Sequence, residues 1–540
     1  METTQQPKVE RPQTDDEARL AALGQKQAMG RHFNVWSLIF LATCTSVTWE
    51  AVTSTMAQSL MAGGSSSLVW GFFAAAIGAL TIALALAELA SMVPTAGGQY
   101  HYVAALAPPA HRRWLSWVAA WATLWSWLLS ALAGIFANAM QLQAYVTLFA
   151  PGYVYARWHT SLIVIALTTC FFGINVLGTR WLHRLTFLGI VLHIAGYVTI
   201  IVYLLCKVHP KNSASHVFSS LVNGSGWHSD GIAWSIGLMS SAVAFINWDS
   251  ATHMAEEMKN ASRDLPRVLW GCVALSGLFT FPWIIALAFC LTDVEGVLTG
   301  PVGTISPLVQ LIYNTSGGNQ AETIGITFFF LFLGFFVGGP GCLAALSRVI
   351  WSFSREGGLP PIFARVSPSF RVPVNAVGLG WFCISALSLI YIGNETAFYG
   401  INSGATVIMI FSYAMPIFLR LIYGFPGHSA LPPGPFVLGK WSVPLNAFAA
   451  CWCAYLIVFL CFPSMMPVDE KNMNYASVIL GASMIITGGT WLVYGRSGYR
   501  GILAEGGDEP IQALGIVTTE ESCDGSEKIA VDAYKHEKVN

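Results

Sequence analysis

The chain has 540 residues, of which 54% are hydrophobic and 10% are charged, and its formal net charge is -1. Its mean hydropathy of +0.58 excludes an ordinary soluble globular protein. The near-zero charge excludes a nucleic-acid-binding surface, because phosphate binding needs a dense basic face. The composition therefore predicts an all-α polytopic membrane protein.

Apolar runs long enough to cross a bilayer number about twelve. They lie between two polar segments that we interpret as cytosolic tails, residues 1–32 and the acidic residues 496–540. An even number of crossings places both chain ends on one side of the membrane. The runs cover residues 33–62, 66–92, 114–149, 159–178, 184–206, 232–256, 267–291, 322–353, 375–393, 398–422, 442–463 and 475–495.

The basic residues of the predicted loops indicate which side this is. One alternate set of loops carries thirteen lysine and arginine residues, and the other set carries four. Basic residues are retained on the cytosolic side, so both termini are predicted to face the cytosol. We expect the plasma membrane as the location, with the vacuolar membrane as the alternative.

The first run, 33–62, carries one formal charge, Glu50, close to its middle. Neighbouring hydroxyls and β-branched side chains lower helix propensity, so we expect the helix to break there. An ionisable residue at bilayer depth costs about 2.5 kcal/mol or more, and it usually marks a functional site. The alternative is a Glu50 that is capped by hydroxyls and packed against another helix.

The sixth run, 232–256, has the same peculiarity, because Asn247 and Asp249 lie halfway along it. Two interrupted helices in corresponding positions indicate an inverted repeat with the substrate bound between the two breaks. The alternative is that Asn247 and Asp249 only bridge neighbouring helices. The predicted repeats are 33–206 and 232–422, followed by two additional helices within 442–495.

Three predicted cytosolic stretches carry a family resemblance. They resemble signatures of the amino acid–polyamine–organocation superfamily, and together they are most similar to its fungal branch of amino-acid, GABA and choline permeases. The resemblance spans residues 30–495. It implies a leucine-transporter-like fold of about twelve transmembrane helices, with two inverted five-helix repeats and two further helices, working by alternating access and usually coupled to protons. The stretches are ELASMVPTAGGQY at 88–100, AEEMKNASRDLPR at 255–267 and SRVIWSFSREGGLP at 347–360.

The substrate region departs from the family pattern. Relatives commonly offer a small-Gly-small segment to the carboxylate of an amino acid, whereas this chain has Glu50 there and Asn247 at the second break. A carboxylate would repel an anionic group and attract an amine, and nearby aromatic rings could add cation–π contacts. We therefore expect choline-like or other amine substrates, although a protonated Glu50 would also admit amino acids or GABA. The predicted binding residues are Thr48, Trp49, Glu50, Ala51, Ala244, Phe245, Ile246, Asn247 and Trp248.

Proton coupling, which the resemblance implies, requires groups that exchange protons. Histidine changes its charge within the cellular pH range, and proton-coupled relatives often carry a basic group in the fifth helix. The candidates here are Glu50, His193 and Asp249. The alternative for His193 is a buried neutral ring that is bonded to a carbonyl group.

Three further acidic residues lie in the predicted cytosolic motifs. Glu88 ends the second helix and could pair with a loop arginine, either in an inner gate or as a structural ion pair. Glu256 and Glu257 lie within reach of Arg263 and Arg267, an arrangement that is typical of a charged gate. Exposed pairs of this kind contribute less than about 1 kcal/mol.

Together these features favour a secondary transporter, embedded in the lipid bilayer, that imports small nitrogenous solutes together with protons. A membrane enzyme would need a polar catalytic cluster at one membrane face, and the sequence has none. The 11 cysteines show no metal-ligand spacing, so we expect neither a metal nor another cofactor. A non-transporting nutrient sensor and an amino-acid exchanger on the same fold are the open alternatives.

Overall fold

The computed structural model describes residues 29–31, 33–150, 152–177, 179–425, 433–470 and 472–502. These residues form helices and no strand, and one isolated bridge joins Phe33 to Met258. The all-α prediction is therefore confirmed. The predicted tails, 1–32 and 496–540, fall largely outside the described residues.

The first half of the described chain begins with a divided helix. Val47 separates its two parts, and a turn at Gly63 leads directly into the next long helix. The helices are α1 (Val35–Ser46), α2 (Thr48–Ala62), α3 (Gly64–Met92), α4 (Gln99–Leu106), α5 (Arg112–Phe149), α6 (Arg157–Leu177), α7 (Thr179–Lys207) and α8 (Ala214–Ser219).

The second half also begins with a divided helix, whose parts are separated by residues 244–249. A π-helical turn, Gly334–Gly338, joins the helix Gln320–Leu333 and the helix Gly339–Arg355 into one passage. The helices are α9 (Asp230–Val243), α10 (Ser250–His253), α11 (Ala261–Cys290), α12 (Val294–Thr299), α13 (Pro307–Thr315), α14 (Gln320–Leu333), α15 (Gly339–Arg355), α16 (Val374–Ser388), α17 (Ile390–Gly393), α18 (Glu395–Tyr423), α19 (Ser442–Phe459) and α20 (Ala476–Thr490).

Within the described residues, eleven helical passages are long and apolar enough to cross a membrane. The predicted run 232–256 is not among them because residues 244–249 interrupt its helix and leave two short parts. The 14 residues of α9 rise only about 21 Å, which is short of a bilayer core of about 30 Å. The eleven passages and this broken one agree with about twelve crossings. The division into two five-helix repeats stays a prediction.

The two divided helices lie beside each other in the interior. The second part of the first divided helix, α2, packs along α9, while α1 packs against α7 and α11. The long helix α3 covers both α9 and α11. The helix breaks are therefore enclosed by other helices, where irregular backbone in a membrane protein can be tolerated.

Two boundaries differ from those expected. Helix α11 begins at Ala261, earlier than the predicted run from residue 267, because Arg263 and Arg267 lie exposed on its first turns and do not interrupt it. At the other end, the chain stays packed against the bundle beyond residue 496. Tyr499 is buried there, and its hydroxyl contacts the hydroxyl of Ser116 on α5 at 2.6 Å.

Candidate functional site

The first helix break is centred on Val47. This residue has φ 41° and ψ 49°, a left-handed conformation that β-branched residues rarely adopt. Helix α2 restarts at the next residue, and the first N–H groups of a helix have no partner within it. The break predicted from the hydroxyl-rich sequence is therefore present, close to Glu50.

The second break is centred on Asn247, whose φ of 67° is also left-handed. Asparagine tolerates this conformation better than other residues except glycine. Two contacts join the breaks to each other. The hydroxyls of Thr45 and Ser250 lie 2.9 Å apart, and Thr45 Oγ1 also donates to the Asn247 carbonyl at 3.4 Å. The two breaks thus lie side by side. That they bind a substrate between them stays a prediction.

Glu50 lies in the first turn of α2 and is 4% exposed. Its Oε1 lies 2.9 Å from Nδ1 of His193 on α7. The ring is not aligned for a hydrogen bond, and neither carboxylate oxygen accepts one from a described residue. Glu50 is therefore a buried acceptor whose hydrogen-bonding capacity is unused.

Trp49 fixes the protonation pattern of His193. Its indole Nε1 donates to His193 Nε2 at 3.1 Å. An indole N–H only donates, so Nε2 accepts, and the neutral ring carries its hydrogen on Nδ1, towards Glu50. A second proton on His193 would place two donors opposite each other at Trp49.

Other buried polar atoms near the two breaks also lack partners. Buried polar groups in proteins are normally hydrogen-bonded, so a cluster of unpaired ones marks a place for water or a polar ligand. Within the described part of the chain, these atoms are Thr43 Oγ1, Ser46 Oγ, Thr48 Oγ1, Ser241 Oγ and Asn247 Oδ1, in addition to both carboxylate oxygens of Glu50.

The aromatic residues expected near an ammonium group lie in three separate contacts. No ring contact in the described part of the chain joins any two of them, so they do not form one cage in this conformation. Trp49 is the one that is linked to Glu50 through His193. The ring-centroid distances are 4.5 Å for Trp49 and Trp283, 4.9 Å for Phe245 and Phe72, and 5.1 Å for Trp248 and Tyr413.

The remaining predicted binding residues lie in or beside the two helix breaks. Ala244 and Ile246 are buried between α9 and α10, and Ala51 is half-buried in α2. Their side chains carry no polar group. Any polar recognition at these positions would use the backbone.

Asp249 ends the second break and connects several helices. Its Oδ2 accepts hydrogen bonds from Gln99 of α4 and from Trp127 of α5. Its Oδ1 accepts one from Tyr413 of α18 at 2.7 Å. Asp249 therefore bridges neighbouring helices, and its role in proton coupling stays a prediction. Gln99 could be noticed in the sequence because it lies in the motif ELASMVPTAGGQY at 88–100. Nothing in the sequence singles out Trp127 or Tyr413.

The two glutamates after the second break form ion pairs with α15. Arg355 Nη2 donates to Glu256 Oε1 at 2.8 Å, and Arg348 Nε donates to Glu257 Oε1 at 2.9 Å. The Glu257 carbonyl also accepts the backbone N–H of Phe33 at 3.1 Å. These contacts fasten the segment after the break to α15 and to the residues before α1.

This pairing differs from the one expected from the sequence. Arg263 and Arg267 are four residues apart on α11 and share its exposed face. Arg267 lies 3.4 Å from Asp264 and not beside the two glutamates. Proximity in sequence suggested the wrong partners because the turn after the second break directs Glu256 and Glu257 inwards.

Glu88 is buried near the end of α3. Its Oε2 lies 3.6 Å from Arg420 Nη2 on α18 and accepts the hydroxyl hydrogen of Ser442. Its Oε1 accepts the backbone N–H of Leu438 at 3.1 Å. This arrangement joins α3 to α18 and to the start of α19. A gating role for Glu88 stays a prediction.

The sequence matches the family model described as Amino acid permease over residues 33–485. It is 32% identical to an uncharacterized amino-acid permease of Schizosaccharomyces pombe, over 90% of this chain and 88% of that protein. It is 31% identical to amino-acid permease 2 of Neurospora crassa, over 90% and 88%, and 28% identical to the choline transporter of Saccharomyces cerevisiae, over 86% and 82%. These matches confirm the resemblance described above. The chain is a membrane transporter and not an enzyme, and it belongs to the amino acid permease family of the amino acid–polyamine–organocation superfamily.

Proposed function

We propose that this chain imports small nitrogenous solutes by alternating access and that Glu50 receives the amine group. The observation behind this proposal is a buried carboxylate at the first break that accepts no hydrogen bond from the described residues. A carboxylate removed from water needs a charged or hydrogen-bonding partner. An ammonium group 4 Å away, at an effective dielectric constant of about 20, would be attracted by about 4 kcal/mol before desolvation is subtracted.

The position of Glu50 also disfavours an anionic group at the same place. Helix N-termini attract anions, and here the carboxylate of Glu50 already occupies the first turn of α2. A second carboxylate close by would be repelled. The similarity to a choline transporter supports an amine substrate that carries no carboxylate.

An amino acid or GABA is the second candidate, favoured by the similarity to proteins named amino-acid permeases. It requires Glu50 to be protonated, because the neutral acid does not repel a carboxylate. Binding of such a substrate would then carry a proton with it. In both cases Glu50 and His193 form the pair that we assign to proton coupling, since their side chains are in contact.

We further propose that both termini face the cytosol, because basic residues are concentrated in one set of loops. We also propose the plasma membrane as the location. Tags at Met1 and Asn540 should be inaccessible from outside intact cells. Asn314, exposed at the end of α13, should be the preferred glycosylation site. Access to either tag from outside would overturn this orientation.

The experiment that tests the function is uptake of labelled choline, GABA and a panel of amino acids in a transport-deficient host, with and without a proton uncoupler. We expect saturable accumulation of at least one of these solutes, and we expect the uncoupler to abolish it. Binding without uptake would indicate a sensor. Uptake that depends only on solute preloaded inside the cell would indicate an exchanger. Either result would overturn the proposed import.

A further inference from the structure

His253 occupies the end of α10, directly after the second break, and is 1% exposed. The loop between α3 and α4 approaches it closely, which the left-handed Gly98 permits. A β-carbon at Gly98 would lie 2.6 Å from Cγ2 of Thr252. On another side, the ring of Trp127 stands edge-on to His253 with 5.5 Å between the centroids.

The hydrogen-bond partners of His253 determine where its ring hydrogen lies. Nδ1 is 2.9 Å from the carbonyl oxygen of Ala96. A carbonyl oxygen only accepts, so Nδ1 carries a hydrogen in every protonation state. In the neutral ring, the lone pair therefore lies on Nε2.

That lone pair faces a carboxylate. Nε2 of His253 lies 3.4 Å from Oδ2 of Asp249 and has no hydrogen bond among the described residues. A lone pair and a carboxylate oxygen repel each other at this distance. A proton on Nε2 converts the repulsion into attraction between opposite charges, and in a buried site that attraction is weakly screened.

Asp249 is already supplied with hydrogen-bond donors. Its carboxylate accepts hydrogen bonds from Gln99, Trp127 and Tyr413, so both of its oxygens have partners without a proton of their own. Among the described residues, no other cationic side chain lies within ion-pair distance of Asp249. His253 is therefore the nearest described side chain that could balance a charge on Asp249.

The other titratable groups around this pair do not replace that proton. Tyr413 of α18, Tyr102 of α4 and Cys272 of α11 approach Asp249 with neutral hydroxyl or thiol groups. The next acidic residues along the chain, Glu256 and Glu257, are paired with arginines of α15.

We infer that His253 and Asp249 form a second proton-binding site, which holds α10 against α4, α5 and α18 when occupied and releases it when empty. Both residues lie between the substrate-side break at Asn247 and the ion-paired Glu256 and Glu257. Loss of this proton therefore loosens the segment that connects the substrate site to the predicted cytosolic face. Its role in a transport cycle rests on the proposed function, but its existence is testable without a substrate.

The test is hydrogen–deuterium exchange of the full chain in lipid nanodiscs, followed by mass spectrometry from about pH 5 to about pH 8, the interval in which histidine side chains titrate. Rates are corrected for the intrinsic pH dependence with the unfolded protein. In the wild type, the protection of backbone amides 250–258 should fall by about tenfold as the pH rises. This is the change expected over one pH unit when one bound proton stabilises the closed segment. His253→Gln, which keeps a donor for Ala96 but binds no proton, should show protection that does not vary with pH.

His193→Gln is the matched control, because it removes another buried histidine and leaves this pair intact. It should retain the wild-type change in residues 250–258. The inference is overturned if wild-type protection there does not change with pH, an outcome that needs no variant to fold. It is also overturned if His253→Gln keeps the full pH-dependent change. Failure of solute uptake would contradict the proposed function and leave these outcomes unaffected.

Discussion

His193 Nδ1 lies 2.9 Å from Glu50 Oε1, so a side chain of α7 meets the carboxylate at the first helix break. The two residues are far apart in sequence and come from different helices. Because Trp49 donates to the opposite ring nitrogen, His193 presents its N–H side to Glu50. If Glu50 and His193 act in proton coupling as proposed, this contact would link the charge of Glu50 to the position of α7.

The first prediction concerns His193. Its replacement in His193→Ala should reduce the pH dependence of uptake more than it raises the apparent substrate constant, because we propose that the ring acts with Glu50 in proton coupling and lies beside the substrate path. Initial uptake rates measured across a pH series and a substrate series separate the two effects. His216→Ala, at an exposed position on α8, is the control and should leave both unchanged. Lost substrate binding with an unchanged pH profile would place His193 in the binding pocket instead.

The second prediction concerns the backbone at the first break. Val47 has a left-handed conformation that costs about 1–3 kcal/mol for a non-glycine residue. Val47→Gly removes this strain, whereas Ala51→Gly inside α2 costs about 1 kcal/mol without relieving any. Because each new glycine carries a similar entropic cost, Val47→Gly should be the more stable variant by the relieved strain, about 1–3 kcal/mol. Thermal unfolding in detergent compares the two, and a lower midpoint for Val47→Gly would show that the strain is absent.

The third prediction concerns the ion pair between Arg348 and Glu257. Arg348 is 1% exposed, so Arg348→Gln leaves Glu257 buried without a charge partner. Breaking a buried pair in this way costs about 3–5 kcal/mol. Arg267→Gln removes an exposed partner of Asp264 and should cost less than about 1 kcal/mol. Heating followed by size-exclusion chromatography ranks the variants, and equal losses for the two would contradict the assigned pairing.

The helix breaks could be predicted because their cause is local. Hydroxyl and β-branched side chains around Glu50, and polar residues around Asn247, weaken the helix within the segment that carries them. The apolar runs could be predicted for the same reason, since a bilayer selects for continuous hydrophobic length. The start of α11 at Ala261 could not be predicted, because charged residues on an exposed first helical turn have the same composition as a loop.

The partners of the site residues depend on how distant helices pack. The contact of Glu50 with His193, and that of Asp249 with Tyr413, join helices whose approach leaves no periodic signal in either segment. The arginine partners of Glu256 and Glu257 were misassigned because only sequence neighbours were visible. Tertiary packing decides which of several chemically equivalent partners is reached.

The central claim is that the charge of Glu50 selects the charge of the substrate. Glu50→Gln keeps the shape of the side chain and one acceptor oxygen but removes the charge. The variant should bind a cationic amine such as choline about tenfold or more weakly, a loss of at least about 1.4 kcal/mol, because the attraction is lost. A zwitterion should bind equally well or better. Glu295→Gln, at an exposed position in α12, is the control.

The most direct measurement is therefore equilibrium binding and proton-driven accumulation of choline and of GABA, determined separately for the wild type and Glu50→Gln in proteoliposomes. A selective loss of choline binding is the predicted result, and it would identify Glu50 as the group that receives the amine. Retained binding with abolished accumulation would assign Glu50 to proton transfer alone and contradict its role in substrate selection. Wild-type values in both assays would contradict the claim that Glu50 organises this site.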